Sequence, residues 1–178
     1  MTCPSPLNPI KYLNCPFSIS LIMITISGGS LMAAYIAEHL FNLQPCILCL
    51  YQRVPFLITL ILGGIIFLLS FYQKRKSILV LVAISSITYL TNSALAFFHS
   101  GVERKWWKGF EGCSAPDQSN MSPLEVIEAI KNTPAVLCDE IPWDLFGLSM
   151  ANYNVALCLF MGIITLTSSL KLYKRFQK

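Results

Sequence analysis

The sequence predicts an all-α membrane protein, a four-helix transmembrane bundle with two outward loops, the second of which contains a short helix. Three observations support this fold class. Hydrophobic residues make up 54% of the 178-residue chain and charged residues only 12%, about half the charge that is typical of a soluble domain. The mean hydropathy is +0.60, and four long stretches carry no charge. The length suits one compact bundle, so we predict a single membrane domain over residues 1–178.

The four uncharged stretches are each long enough to cross the hydrocarbon core as a helix, which takes about 20 residues. The predicted spans cover about residues 16–38, 49–72, 77–99 and 148–170, which leaves outer loops over about residues 39–48 and 100–147. The first span is predicted to be a retained helix. Its uncharged stretch is longer than that of a typical cleaved signal peptide, and only Lys11 precedes it.

Basic residues decide the predicted orientation, since the positive-inside rule counts only Lys and Arg. Lys11, the run 74–76 and the C-terminal tail lie on one side, with eight of the 13 basic residues and none of the nine acidic ones. We therefore expect both termini to be cytoplasmic and both loops to face outward. The net charge of +4 does not indicate nucleic-acid binding, because the basic residues form no stripe.

The second outer loop contains a helix signal at Ser122, Pro123 and Glu125. Ser can cap a helix, Pro suits its first position, and Glu three residues after the cap completes a capping box. Two interpretations stay open. The short helix packs on its own loop, or it lies in the membrane interface.

Cys46 and Cys49 form a Cys-X-X-Cys motif at the outer start of the second span. A helix N-terminus and a nearby cation both stabilise a thiolate, which is the reactive form of cysteine. Arg53 follows Cys49 by four residues and therefore lies on the same helix face. An Arg at a membrane boundary is costly, and it either stabilises the thiolate or binds a polar head group. A zinc site is disfavoured, because it needs about four ligands and no second tight Cys or His pair is present.

Cys113 and Cys138 lie 25 positions apart in the second outer loop. In an oxidising compartment they either staple the loop or exchange electrons with the Cys46–Cys49 pair through thiolate attack on a disulfide. The presence of two pairs on one face favours exchange. Cys3 and Cys15 are expected to be reduced, and they receive no role, nor does Cys158 in the last span. His99 is a candidate hydrogen-bond partner for a cofactor carbonyl.

Three segments together resemble the DsbB family of disulfide bond formation proteins. The run from Gln44 to Arg53 is similar to the family's Cys-X-X-Cys signature, and the run from Cys138 to Met150 is similar to the end of its second periplasmic loop. The stretch between His99 and Cys113 is similar to that of the shorter bacterial members. The likeness covers nearly the whole chain, with matching span count and cysteine order.

The resemblance implies an inner-membrane protein dithiol:quinone oxidoreductase that reoxidises a DsbA-like periplasmic thioredoxin-fold oxidase with ubiquinone or menaquinone. It implies redox-active pairs Cys46–Cys49 and Cys113–Cys138, in which Cys113 receives the attack of the partner and Cys138 exchanges with Cys46. Cys49 and Arg53, with His99 as a neighbour, would bind the quinone. Gln52 stands where some members carry Glu, which puts an acid–base role for this position in doubt.

Three other functions are considered. A vitamin K epoxide reductase-like protein is disfavoured, because there the membrane Cys-X-X-Cys follows the loop pair in sequence. A metal-binding membrane protein would use the outer cysteines as ligands. A structural adaptor with stapled loops leaves Arg53 beside Cys49 unexplained.

Overall fold

The protein is a bundle of four long helices with a small hairpin at one end. A computed structural model describes residues 15–110, 113 and 136–176. The elements in chain order are α1 (Pro16–Leu40), α2 (Ile47–Phe71), α3 (Arg75–Glu103), β1 (Asp144–Leu145), β2 (Leu148–Ser149) and α4 (Met150–Phe176). All four helices are long and apolar enough to cross a membrane, which confirms the predicted transmembrane bundle. The helix predicted near Ser122 lies outside the described residues.

The helices pack in chain order, α1 on α2, α2 on α3, and α3 most extensively on α4. Three hydroxyl groups join the first three helices inside the bundle. The Ser27 Oγ lies 2.8 Å from Thr59 Oγ1 and 2.7 Å from the Tyr89 hydroxyl oxygen. Because hydrocarbon offers no water as a hydrogen-bond partner, such polar groups must pair across helices.

Small residues set the close approach of α3 to α4. Ser86 Oγ donates to the Gly162 carbonyl, and Ser93 Oγ donates to the Val155 carbonyl, both at 3.0 Å. A Cβ atom at Gly162 would lie 2.6 Å from Leu90 Cδ2, which is closer than two carbons can come. Small side chains let helix backbones approach in a membrane. The tight contact brings together the polar C-terminal half of α3 and the polar N-terminal half of α4.

The third helix is longer than the span predicted for it. That span was expected to end near residue 99, but α3 continues to Glu103. Ser100 Oγ donates to Asn152 Oδ1 at 2.8 Å, and Ser149 Oγ donates to the Glu103 carboxylate. These bonds to the start of α4 stabilise a helical turn whose polar residues indicated a loop in the sequence.

A short hairpin, with two residues in each strand, precedes α4 and was not predicted. Leu145 pairs with Leu148 across a turn made by Phe146 (φ 54°) and Gly147 (φ 74°). Positive φ at both central residues is the mark of a type I′ turn, which matches the twist of the flanking strands. The hairpin delays the start of α4 to Met150, whereas the predicted span began near residue 148.

Candidate functional site

Cys46 caps α2, and the Cys-X-X-Cys spacing places Cys49 in the first helical turn. The Cys46 backbone is extended, at φ −74° and ψ 169°, and its sulfur accepts a hydrogen bond from the Cys49 N–H at 3.4 Å. An N-cap side chain normally accepts from this third position of a helix. The two sulfurs are 3.2 Å apart. The local helix geometry therefore holds the pair close to disulfide distance.

His99, on α3, completes this pair from another helix. Its Nε2 atom lies 3.5 Å from the Cys46 sulfur, and the ring is buried. Gln52 Nε2 donates to His99 Nδ1 at 2.8 Å, and Asn154 Nδ2 donates to Gln52 Oε1 at 2.5 Å. With Nδ1 as acceptor, the ring proton is on Nε2 and points at the sulfur.

Glu103 is an acidic residue of this site that the sequence analysis did not single out. Its Oε1 lies 3.8 Å from His99 Nε2, and both side chains are 4% exposed. Ser149 Oγ donates to the other carboxylate oxygen. One helical turn separates His99 from Glu103, so the two side chains lie on the same face of α3. A buried carboxylate thus faces the same ring nitrogen as the Cys46 thiol.

Arg53 lies one turn below Cys49, as the spacing predicts, and forms an ion pair with α1. Its Nη1 donates to Glu38 Oε2 at 2.7 Å, with both side chains about a quarter exposed. A guanidinium at a membrane boundary needs an anionic or strongly polar partner. Glu38 supplies one here, and the sequence analysis assigned it no role.

A cavity of about 530 Å³ opens beside this cluster. Most of its lining is apolar, and the polar groups that reach it include Cys49, Gln52, Arg53 and His99. A mostly apolar pocket of this size with a few placed polar groups is typical of a small-molecule site. Cys49 is partly exposed, whereas Cys46 is buried.

The loop pair lies against the first pair. The Cys138 N–H donates to the Cys113 carbonyl at 2.6 Å, and both residues are buried beside Cys46. All three residues belong to one buried cluster with Leu48 and Val102. The loop pair and the α2 pair therefore share one buried cluster.

The thiols outside the spans are held in the protonated form. A hydrogen bond to Cys49, and then burial, raise the pKa of Cys46 to about 12. Burial, and then a hydrogen bond with Cys138, raise the pKa of Cys113 to about 12. Burial also raises the pKa of Cys138. Desolvation disfavours the thiolate at all three positions, so an exchange reaction needs a base or a charged partner nearby.

The remaining cysteines and His39 lie apart from this cluster. Cys158 donates to Asn154 Oδ1 at 3.1 Å and accepts from Asn92 Nδ2 at 3.3 Å. Cys15 is disulfide-bonded, so the expectation of a reduced thiol is wrong for this residue, and Cys3 lies outside the described residues. The expectation was based only on the reducing environment of the cytoplasm. Whether a disulfide can form depends also on the distance to a second thiol, which the sequence does not show. His39 bonds to its own helix.

Several residues of the site were missed or undervalued in the sequence. Gln52 was noted only as a departure from the family, and Asn92, Asn154 and Glu103 were not noted. A signal was present, because Asn92 and Asn154 are polar residues inside long apolar helices, and such residues usually face the bundle interior and mark functional sites. The sequence could not show which of them share a face with His99.

These features define a multi-pass membrane protein with two neighbouring thiol pairs, one of which lines an apolar cavity. A family model described as disulfide bond formation protein DsbB matches residues 17–168, so the chain belongs to the DsbB family. This confirms the resemblance seen in the sequence and places the protein in disulfide bond formation.

Individual relatives cover most of the chain. It is 31% identical over 152 residues to the uncharacterized protein RP370 of Rickettsia prowazekii, which covers 82% of this chain and 86% of that protein. Proteins named disulfide bond formation protein B are 30% identical in Haemophilus influenzae, over 72% of each chain, and 29% identical in Idiomarina loihiensis, over 86% of each chain. No solved structure matches the chain significantly.

Proposed function

We propose that the protein is a dithiol:quinone oxidoreductase that reoxidises a DsbA-like thioredoxin-fold oxidase and passes the electrons to a membrane quinone. One observation carries this proposal. Cys113, Cys138 and Cys46 lie in one buried cluster, and the Cys46 sulfur lies 3.2 Å from that of Cys49. The four cysteines therefore lie together between the outer loop and the cavity.

The relay needs two disulfide exchanges. The reduced partner attacks the Cys113–Cys138 disulfide at Cys113, and the resulting partner disulfide leaves two thiols on the loop. The Cys138 thiolate then attacks Cys46 of the Cys46–Cys49 disulfide and releases Cys49, and Cys113 attacks Cys138 of the resulting Cys46–Cys138 disulfide, which reforms the loop disulfide and releases Cys46. Each exchange breaks one sulfur–sulfur bond and forms another, so two electrons and two protons move inward per cycle.

The cavity residues fit a quinone. An apolar lining suits the ring, the Arg53 side chain offers N–H groups to a carbonyl oxygen, and His99 borders the same cavity. When bound, the quinone supplies a two-electron oxidant for the Cys46–Cys49 dithiol. Cys49 is the partly exposed thiol of the pair and lines the cavity, which supports its role as the cysteine nearest the quinone.

His99 is placed to take the proton of Cys46 at Nε2 when its own ring proton is on Nδ1, a tautomer in which the Gln52 side chain accepts with Oε1 instead of donating. The His99 Nε2 atom lies 3.5 Å from the Cys46 sulfur and 3.8 Å from Glu103 Oε1. Since the raised pKa keeps Cys46 protonated, closing the Cys46–Cys49 disulfide requires a base at this sulfur. Glu103, held by Ser149, stabilises the positive charge that the imidazole gains when it accepts the proton.

The proposal includes an inner-membrane location with both termini cytoplasmic and the four redox cysteines periplasmic. The basic residues between α2 and α3 and at the C-terminal end support this orientation through the positive-inside rule. The single membrane domain then consists of four spans, near residues 16–38, 49–72, 77–99 and 148–170. The outer loops lie near residues 39–48 and 100–147.

The test is quinone reduction by the purified protein in detergent, with a reduced thioredoxin-fold oxidase as electron donor. We expect turnover that requires both substrates and that disappears in Cys46→Ser and in Cys49→Ser. Cys158→Ser is the matched control, because this thiol is not one of the four relay cysteines and a serine hydroxyl can keep its hydrogen bonds to Asn154 and Asn92, so turnover should be retained. Activity retained in both Cys46→Ser and Cys49→Ser would rule the proposal out.

A further inference from the structure

The cluster around Cys46 has the composition of a soft metal site. The Cys46 and Cys49 sulfurs and a nitrogen of His99 all lie within 4.8 Å of one another. The sequence argued against zinc because the motif supplied only two ligands, and the third is 50 residues away on α3. The fold brings that third ligand to the pair.

We propose that the reduced Cys46–Cys49 pair and His99 bind one Zn²⁺ ion, and that this binding blocks oxidation of the pair. Tetrahedral zinc places two sulfurs about 3.8 Å apart and a sulfur and a nitrogen about 3.6 Å apart, from bond lengths of about 2.3 and 2.05 Å. The Cys46 sulfur lies 3.5 Å from His99 Nε2 and 3.2 Å from the Cys49 sulfur. The two sulfurs would separate slightly, and the third pair, the Cys49 sulfur and the His99 nitrogen, is already within 4.8 Å.

The charges also favour a divalent cation. Binding releases the two thiol protons, so Zn²⁺ and two thiolates form a group with no net charge, which lowers the cost of burying it. Three protein ligands leave the fourth position for water, and all three of these residues line the cavity. Hard cations such as Mg²⁺ prefer oxygen ligands, so the site selects against them.

The residues behind His99 can hold its ring in the form that a metal requires. Zinc at Nε2 needs a proton on Nδ1, and the Gln52 amide contacts Nδ1 at 2.8 Å. Rotation of the Gln52 and Asn154 amides by a half-turn exchanges donors and acceptors at the same positions. Gln52 Oε1 then accepts from Nδ1–H, which is the outer-shell bond that metal-binding histidines normally make.

The metal competes directly with the proposed reaction. Zinc occupies the lone pairs that would form the Cys46–Cys49 bond, and it occupies the His99 nitrogen that would take the proton of Cys46. Metal binding itself does not depend on the proposed function, whereas inhibition of quinone reduction does. The two parts are therefore measured separately.

Binding is measured with Co²⁺ as an absorbing substitute for zinc, on full-length protein reduced with a phosphine. The background is the double variant Cys113→Ser/Cys138→Ser, so that the loop thiols cannot contribute ligands. We expect one equivalent of Co²⁺ with thiolate-to-metal absorption, displaced by Zn²⁺ and unaffected by excess Mg²⁺. The oxidised protein should show none. Absence of the band in this background would overturn the assignment.

The variants identify the ligands. Cys49→Ser and His99→Ala should each weaken binding by more than the 10–100-fold or so that loss of an outer-shell partner costs, and Gln52→Leu should fall within that range. His39→Ala is the matched control for the histidine and should bind as tightly as the background. If His99→Ala does not fold, Cys49→Ser and Gln52→Leu decide the matter. Unchanged binding in both would overturn the proposal.

Inhibition is measured on the wild-type protein as the rate of quinone reduction with and without Zn²⁺, with Mg²⁺ as control. Zinc at the concentration that fills the site should stop turnover, and a chelator should restore it. Cobalt binding without zinc inhibition would retain the metal site and overturn the competition. Cobalt binding in a protein that never reduces quinone would instead count against the proposed function.

Discussion

The two thiol pairs of this protein are built in different ways. Cys46 and Cys49 are three residues apart, and the first turn of α2 alone brings their sulfurs to 3.2 Å. Cys113 and Cys138 are 25 positions apart, and they meet through a backbone hydrogen bond and a shared buried cluster. The first pair depends on local helix geometry, and the second depends on tertiary packing.

This difference matters for the proposed relay. A pair fixed at a helix N-cap keeps its position relative to the cavity, where a mobile cofactor must find it. A pair held by loop packing can open for a protein partner. We therefore expect changes in α2 to alter the reaction with quinone, and changes near the loop to alter the reaction with the partner.

The largest expected effect is the loss of the function of one thiol pair while that of the other is retained. Cys113→Ser/Cys138→Ser should abolish oxidation of the protein partner, because no loop disulfide remains to be attacked. Oxidation of a small dithiol such as dithiothreitol should persist, because it can reduce Cys46–Cys49 directly. Quinone reduction with each donor measures both effects. Loss of both activities would mean that the pairs do not work separately.

The acidity of the two pairs should respond differently to mutation. A hydrogen bond to Cys49 is the main cause of the raised pKa of Cys46, whereas burial is the main cause at Cys113. Cys49→Ala should therefore lower the pKa of Cys46, raise its thiolate fraction at pH 8, and speed alkylation roughly tenfold if the pKa falls by one unit. Cys138→Ala should speed alkylation of Cys113 less. Iodoacetamide labelling of the reduced protein from pH 7 to 10, followed by peptide mass spectrometry, checks this. Equal changes at both sites would contradict it.

Substitutions at Arg53 and Glu38 test quinone binding separately from the reaction with the protein partner. A hydrogen bond to a charged group contributes about 1.5–3 kcal/mol, so Arg53→Ala should raise KM for quinone by about tenfold or more. Glu38→Gln removes the carboxylate that pairs with Arg53 at 2.7 Å, and it should lower KM because the guanidinium is freed. Neither change should alter KM for the protein partner. If both variants raised KM for quinone, the ion pair would be structural.

The smallest effect concerns the support of the loop pair. A Cβ at Gly101 would lie 2.0 Å from Trp107 Cζ2, and Trp107 stacks on Phe98, which in turn packs on Phe110. The Phe110 carbonyl accepts from the Cys113 N–H at 2.9 Å. Gly101→Ala should cost about 1–3 kcal/mol through overpacking, measured by thermal unfolding in detergent.

The control for this change is Gly64→Ala, where a Cβ meets nothing within 4 Å, and it should not lower stability. Gly101→Ala should also slow the reaction with the protein partner more than the reaction with a small dithiol. Equal slowing with both donors would mean that this packing does not act on the loop pair.

Some features were predictable because they are local. A helix in hydrocarbon must satisfy every backbone group within itself, so long uncharged stretches are sufficient to predict the four-helix bundle. The spacing of Cys46, Cys49 and Arg53 along one helix predicts that they lie on adjacent turns, and the structure places them there. Their roles in redox chemistry and quinone binding stay predictions.

Other features needed the tertiary structure, because they depend on contacts between helices. The sequence could not place His99 Nε2 at 3.5 Å from Cys46, or the Gln52 amide against the other ring nitrogen. It also could not pair Glu38 with Arg53 across α1 and α2.

The sequence by itself determined the number of helices, their membrane character and the position of the Cys-X-X-Cys motif. These follow from hydrophobicity and helical periodicity, which are properties of neighbouring residues. Only the tertiary structure decided which buried polar groups share a site, because the side chains of different helices meet according to how the helices rotate and pack. The close packing of α3 on α4, which small residues such as Gly162 permit, brings Asn154 to Gln52 and thereby to His99.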